Sequence, residues 1–159
     1  MGCLIFSSIS ACTMRPLSLG MTKAEVSNTW GNATRVVDTP GGQRWEYSAA
    51  KEGSTNFLLD FNSANQLIAQ RQGLVYENFG RILPEMSRSE VELLIGEAFW
   101  TVTYFGLPEQ SNHIWRWRSG TTPMCFSVRF NKPTWTVIDS GWYPEIKPGP
   151  GGFGEPKRC

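Results

Sequence analysis

The chain carries one histidine, His113, and any nucleophilic or metal chemistry built on imidazole would have to centre on it. Nucleophilic catalysis needs a Ser or Cys beside an oriented base, and no nucleophile motif accompanies this histidine. A metal site needs further His or Cys at ligand spacing, which is missing here. His113 follows the polar run Gln110-Ser111-Asn112 and precedes Ile114-Trp115, so it reads as a surface-loop residue. Among the carboxylates, Glu25 and Glu90 have a helix-capping role, and Asp60 belongs with Arg129 on a solvated face. Gly41-Gly42 and the glycines of residues 149–154 lack the lysine and the strand–loop–helix setting of a phosphate-cradling loop. They read as a turn and a tail. The expectation is a non-enzymatic protein with no catalytic residue, no metal and no cofactor.

The four cysteines offer more. Residues 3–9 form an apolar run well short of the ~20 residues that span a bilayer as a helix, and Ser10-Ala11-Cys12 follows directly. Ile9-Ser10-Ala11-Cys12 resembles the bacterial lipobox, in which an aliphatic and two small residues precede a cysteine that is acylated and becomes the mature N-terminus. Small residues suit that role because the peptidase must draw the segment, extended, into a narrow cleft. Residues 1–11 therefore read as a signal peptide lacking its basic start. Residues 12–16 read as a linker lipidated at Cys12, with palmitate among the acyl chains. Each buried methylene adds about 0.8 kcal/mol, so several chains anchor a soluble domain. Thr13 stands where enteric lipoproteins kept in the inner membrane have aspartate. The expected location is the outer membrane, lipid-anchored and facing the periplasm. Cys125 and Cys159 remain, and in an oxidising compartment such a pair can bridge; a buried, unpaired Cys125 fits the sequence equally well.

Lys plus Arg number 15 against 14 Asp plus Glu, so no net field attracts nucleic acid. Aromatic residues make up 13% of the chain, with seven Trp. Trp45, Trp115 and Trp117 alternate with polar residues and read as core. Trp135, Trp142 and Tyr143 come late, on closing strands and near a loop, and are the candidates for a protein-binding surface.

These residues must be positioned by a duplicated unit. Leu17-x-x-x-Met21-Thr22-Lys23-Ala24-Glu25-Val26 recurs as Ile82-x-x-x-Met86-Ser87-Arg88-Ser89-Glu90-Val91, and a glycine follows five residues later at Gly31 and Gly96. Trp45-Glu46-Tyr47 answers Trp115-Arg116-Trp117, and the runs at 57–62 and 126–131 answer each other. Thr22 with Glu25, and Ser87 with Glu90, are capping boxes, and Met21/Val26 and Met86/Val91 are hydrophobic staples. Gly31 and Gly96 suit C-caps with positive φ. Helices this short are marginal alone and need a sheet to cover their apolar face. Period-two alternation then gives three strands per copy, with turns at Asn62-Ser63-Ala64-Asn65 and Asn131-Lys132-Pro133.

The expected fold is α+β: two tandem repeats, each a helix followed by a three-stranded antiparallel meander, with the two meanders able to pair into one larger sheet. Residues 17–75 form the first repeat and 76–146 the second, with a short extra helix over 76–83. Residues 147–159, rich in Pro and Gly, are expected to be disordered.

The motif Gly20-Met21-Thr22-Lys23-x-x-Val26, the later glycine, the aromatic strand pair and the closing strand resemble the SmpA/OmlA (BamE-like) domain of outer-membrane lipoproteins. The resemblance covers both repeats, although Glu85 replaces the glycine in the second. It implies a helix-on-sheet fold and an accessory, protein-binding role in outer-membrane protein assembly or envelope integrity. The tandem architecture is also similar to the β-lactamase inhibitory proteins, which implies the alternative of a secreted protein-inhibitor module.

Overall fold

The computed structural model describes residues 15–48, 54–145 and 159. Helix α1 (Lys23–Trp30) leads into strands β1 (Arg35–Thr39), β2 (Gly42–Ser48), β3 (Asn56–Asn62) and β4 (Leu67–Gln72). A short helix α2 (Tyr76–Phe79) and helix α3 (Arg88–Ile95) lead into β5 (Trp100–Val102), β6 (Gln110–Ser119), β7 (Thr122–Asn131) and β8 (Thr136–Pro144). Each set of four strands is an antiparallel sheet in sequence order, β1-β2-β3-β4 and β5-β6-β7-β8.

This corrects the expected fold class. The described chain is mostly β, two four-stranded antiparallel sheets with only about 16% helix, and not two helix-plus-three-strand repeats. The strands missed are β1 and β5. Arg-Val-Val-Asp-Thr has no apolar alternation and Trp-Thr-Val is only three residues long, so neither shows the period-two signal. Nor do the sheets merge into one.

Both helices start as their sequences dictate. The Thr22 and Ser87 hydroxyls accept from the backbone N–H of Glu25 and Glu90, and each glutamate carboxylate accepts from the cap residue's N–H at 2.8 Å. Gly31 and Gly96 end the helices with φ of +81° and +83°. At the position before each opening Met, Gly20 has φ +90° and Glu85 adopts the same left-handed backbone at +69°.

Duplication extends to the strands, with one change of register. Tyr47 donates its hydroxyl to the Gly31 carbonyl at 3.0 Å, and Trp115 donates its indole N–H to the Gly96 carbonyl at 3.1 Å. Trp45 sits 4.9 Å from Phe61, as His113 sits 4.9 Å from Phe130. The structural equivalent of Trp45 is therefore His113, and that of Tyr47 is Trp115. The match of Trp45 with Trp115 is off by two residues.

Four layers result. The inner face of the first sheet packs Tyr47, Leu59, Phe61 and Leu67 on Val26 of α1. The outer face of that sheet is covered by α3. The Arg71 guanidinium donates to the Leu93 carbonyl at 3.0 Å, with Arg44 donating to the same oxygen, and the Asn56 amide donates to the Ile95 carbonyl at 3.0 Å. Arg35 pairs with Glu92 at 2.7 Å, and the Glu97 N–H donates to buried Glu46 at 3.0 Å. Burial raises the Glu46 carboxyl above its ordinary range, against the opposing pull of the Glu97 amide and Arg35. The opposite side of α3, through Val91 and Ile95, packs with Trp115, Phe126, Val128 and Phe130 of the second sheet. From α2, Phe79 stacks on Phe126 at 4.2 Å. Each large apolar side chain so buried contributes about 1.5–3 kcal/mol.

Candidate protein-binding surface

Paired residues on neighbouring antiparallel strands share a face, so the register of the second sheet assigns each side chain to a side. Trp115, Phe126 and Trp142 are paired across β6, β7 and β8 and face the helices. Arg116, Cys125 and Tyr143 are paired on the outer side. Trp100, Ile114, Ser127 and Gly141 form the next outer row, and Val102, Asn112, Arg129 and Asp139 the one after.

The outer side of this second sheet is the counterpart of the face that α3 covers in the first. Here no helix lies on it among the described residues. Trp100 and Tyr104 are each 52% exposed. The Tyr104 hydroxyl lies 3.5 Å from the Asn112 amide nitrogen, which brings the loop after β5 over the sheet. Tyr143, 37% exposed, has its phenol pushed up by partial burial and, second, by the neighbouring Tyr104. A Cβ added at Gly141 would meet nothing within 4 Å among the described residues, whereas Ile114 and Cys125 on the same face are buried. Two ion pairs lie on this face, Arg129 with Asp139 and Arg116 with Glu145, and Arg118 at its edge is exposed and in no salt bridge among the described residues. Aromatic side chains around a neutral centre of small residues suit protein contact, where charges are depleted and Trp and Tyr enriched.

The three aromatic residues singled out in the sequence are all exposed, but they do not form one surface. Trp142, 54% exposed, lies on the helix side, with its ring 6.5 Å from that of Tyr76. Trp135 occupies the turn before β8 at φ +53°, under the guanidinium of Arg88 at 5.1 Å. Only Tyr143 belongs to the outer face. Trp100 and Tyr104 were missed because their segment shows no strand signal. Of the proposed core residues, Trp115 and Trp117 are buried, and Trp45 is partly buried against the first core.

His113 is not in a loop. It lies within β6 on the helix side, 3% exposed, between the Phe130 and Trp135 rings. Burial, then nearby Arg88, push its imidazole from the usual 6.5 down to about 4, against a smaller upward pull from Glu92. At neutral pH it is an uncharged core residue.

Cys125 and Cys159 are joined by a disulfide, with Cα atoms 5.3 Å apart. Cys125 stands on the outer face yet is fully buried. Cys12, the signal segment and residues 146–158 lie outside the described residues. Among the described residues no helix is long and apolar enough to cross a membrane, and no cluster of His, Cys, Asp or Glu could hold a metal ion. No protein-family model matches the chain, and neither a curated protein nor a solved structure is significantly similar to it.

Proposed function

We propose that the chain is a lipid-anchored, periplasm-facing accessory protein of the outer membrane that binds another protein through the outer face of its second sheet. One observation carries this reading: among the described residues, the same face of the duplicated unit is covered by α3 in the first copy and by no helix in the second, where Trp100 and Tyr104 are exposed. Exposed aromatic side chains at the end of a repeat array mark a surface for a partner. The Cys12 motif supports the anchor, and the likeness to the SmpA/OmlA domain supports a role in outer-membrane protein assembly. The reading gives the protein no catalytic task.

Two measurements test it. Metabolic labelling with a radioactive fatty acid should mark the wild-type protein and not Cys12→Ala; an unlabelled wild type would leave only a secreted module. For the surface, a photo-crosslinking amino acid at Tyr104 should capture one discrete partner in cells, whereas the same probe at exposed Ile68 of the first repeat should not. Equal or absent capture at both positions would remove the proposed face.

A further inference from the structure

Between the two repeats lies a groove of about 570 Å³, lined by Arg44, Arg71 and Arg81, by the acidic Asp38 and Glu90, and by apolar Met86, Leu93 and Leu94. The carboxylates near these arginines are already engaged. Asp60 is bound by Arg44 at 2.6 Å, Asp38 accepts from the Gln43 amide at 2.9 Å, and Glu90 closes the cap of α3. Arg71 is left short of partners: its Nη2 donates to the Leu93 carbonyl, while its Nη1 is enclosed with no hydrogen-bond partner. Arg81 is exposed and its guanidinium meets no carboxylate among the described residues. Burial, then the like charge of Arg44, depress the Arg71 pKa, against an upward pull from Asp60 and with a smaller downward push from Arg81. A partly buried guanidinium beside like charges, with one nitrogen unpartnered, is stabilised by an added anion, and the planar fork of arginine is shaped for carboxylate or phosphate oxygens. A groove of this size falls within the ~300–1,000 Å³ typical of small-molecule sites, where an apolar wall takes the body of the ligand and a few polar groups orient it.

We propose that this groove binds an oxyanion, a carboxylate or phosphate group carried on a short apolar body, with Arg71 and Arg81 as the recognising pair and Met86, Leu93 and Leu94 as the apolar wall. The site is independent of the outer face of the second sheet, so either can stand without the other.

Isothermal titration of the purified full chain with octyl phosphate, octanoate and inorganic phosphate tests it. The octyl compounds should bind saturably, and Arg81→Gln, which changes an exposed side chain, should weaken them by roughly tenfold or more. Arg118→Gln, an exposed arginine on β6 remote from the groove, should leave binding unchanged. Inorganic phosphate binding as tightly as octyl phosphate would identify the free anion as the source; binding of the octyl compounds alone would identify an amphiphile. The proposal is overturned if no probe binds at up to about 10 mM, near the limit of useful affinity, or if Arg118→Gln weakens binding as much as Arg81→Gln.

Discussion

His113 shows how one position is decided by the sheet rather than by its neighbours in sequence. Gln110, Ser111 and Asn112 made it look like a loop residue, but alternation along β6 turns it inward, against the same phenylalanine position that Trp45 meets in the first repeat. A histidine buried neutral couples stability to pH. At pH 7 the imidazole is uncharged whether the chain is folded or not. Below its usual 6.5 the unfolded chain takes up a proton that the folded protein refuses until about 4. Stability is therefore present above pH 6.5 and lost as pH falls, by about 2 kcal/mol at pH 5. Urea unfolding of His113→Phe, compared with wild type between pH 7 and 5, should show that part of the slope gone. Identical slopes for the two proteins would mean that the histidine titrates normally.

The helices were legible because their signals are local: cap, staple and terminal glycine fall within ten residues of one another. The sheets were only partly so. Strands β1 and β5 are too short and too irregular for a period to show, and matching Trp with Trp misplaced β6 by two residues. What sets that register is a long-range bond from a strand side chain to the carbonyl of the helix-ending glycine, Tyr47 to Gly31 and Trp115 to Gly96. The two glycines share a backbone conformation but not a neighbourhood. A Cβ at Gly31 would meet nothing within 4 Å, whereas one at Gly96 would overlap the Asn56 amide. Gly31→Ala should thus cost only backbone strain, about 1–3 kcal/mol. Gly96→Ala should cost at least about 1 kcal/mol more, through the displaced buried hydrogen bond, as measured by thermal unfolding; equal losses would deny the tight contact between repeats. The ion pairs at that contact give a second check. Arg35→Ala leaves buried Glu46 without its cation, while Glu92 keeps Arg88 at 2.6 Å, and should destabilise by about 3 kcal/mol. A loss under about 1 kcal/mol, the value of an exposed pair, would place α3 off the first sheet.

At the scale of the molecule, duplication makes a stack of α1, the first sheet, α3 and the second sheet, and a stack of this kind has two unlike ends. One end is the polar side of α1, where Ser27 and Asn28 follow Val26. The other is the outer face of the second sheet, on which no helix lies among the described residues. The doubled helix start was legible in the sequence, but the four-stranded sheets and the face that no described helix covers were not, and of the three aromatic residues singled out only Tyr143 lies on that face. Which face is covered depends on α3 serving both sheets at once, a tertiary arrangement no local pattern encodes. In the cell, the outer face of the second sheet should be covered by a protein partner. Maleimide labelling of Gly141→Cys, at the centre of that face, tests it most directly when run on purified protein and on intact envelopes, with Leu58→Cys on the sealed first sheet as reference. The prediction is rapid labelling of Gly141→Cys in purified protein, at least tenfold slower labelling in envelopes, and no labelling of native Leu58→Cys in either. Equally fast labelling of Gly141→Cys in both settings would contradict it.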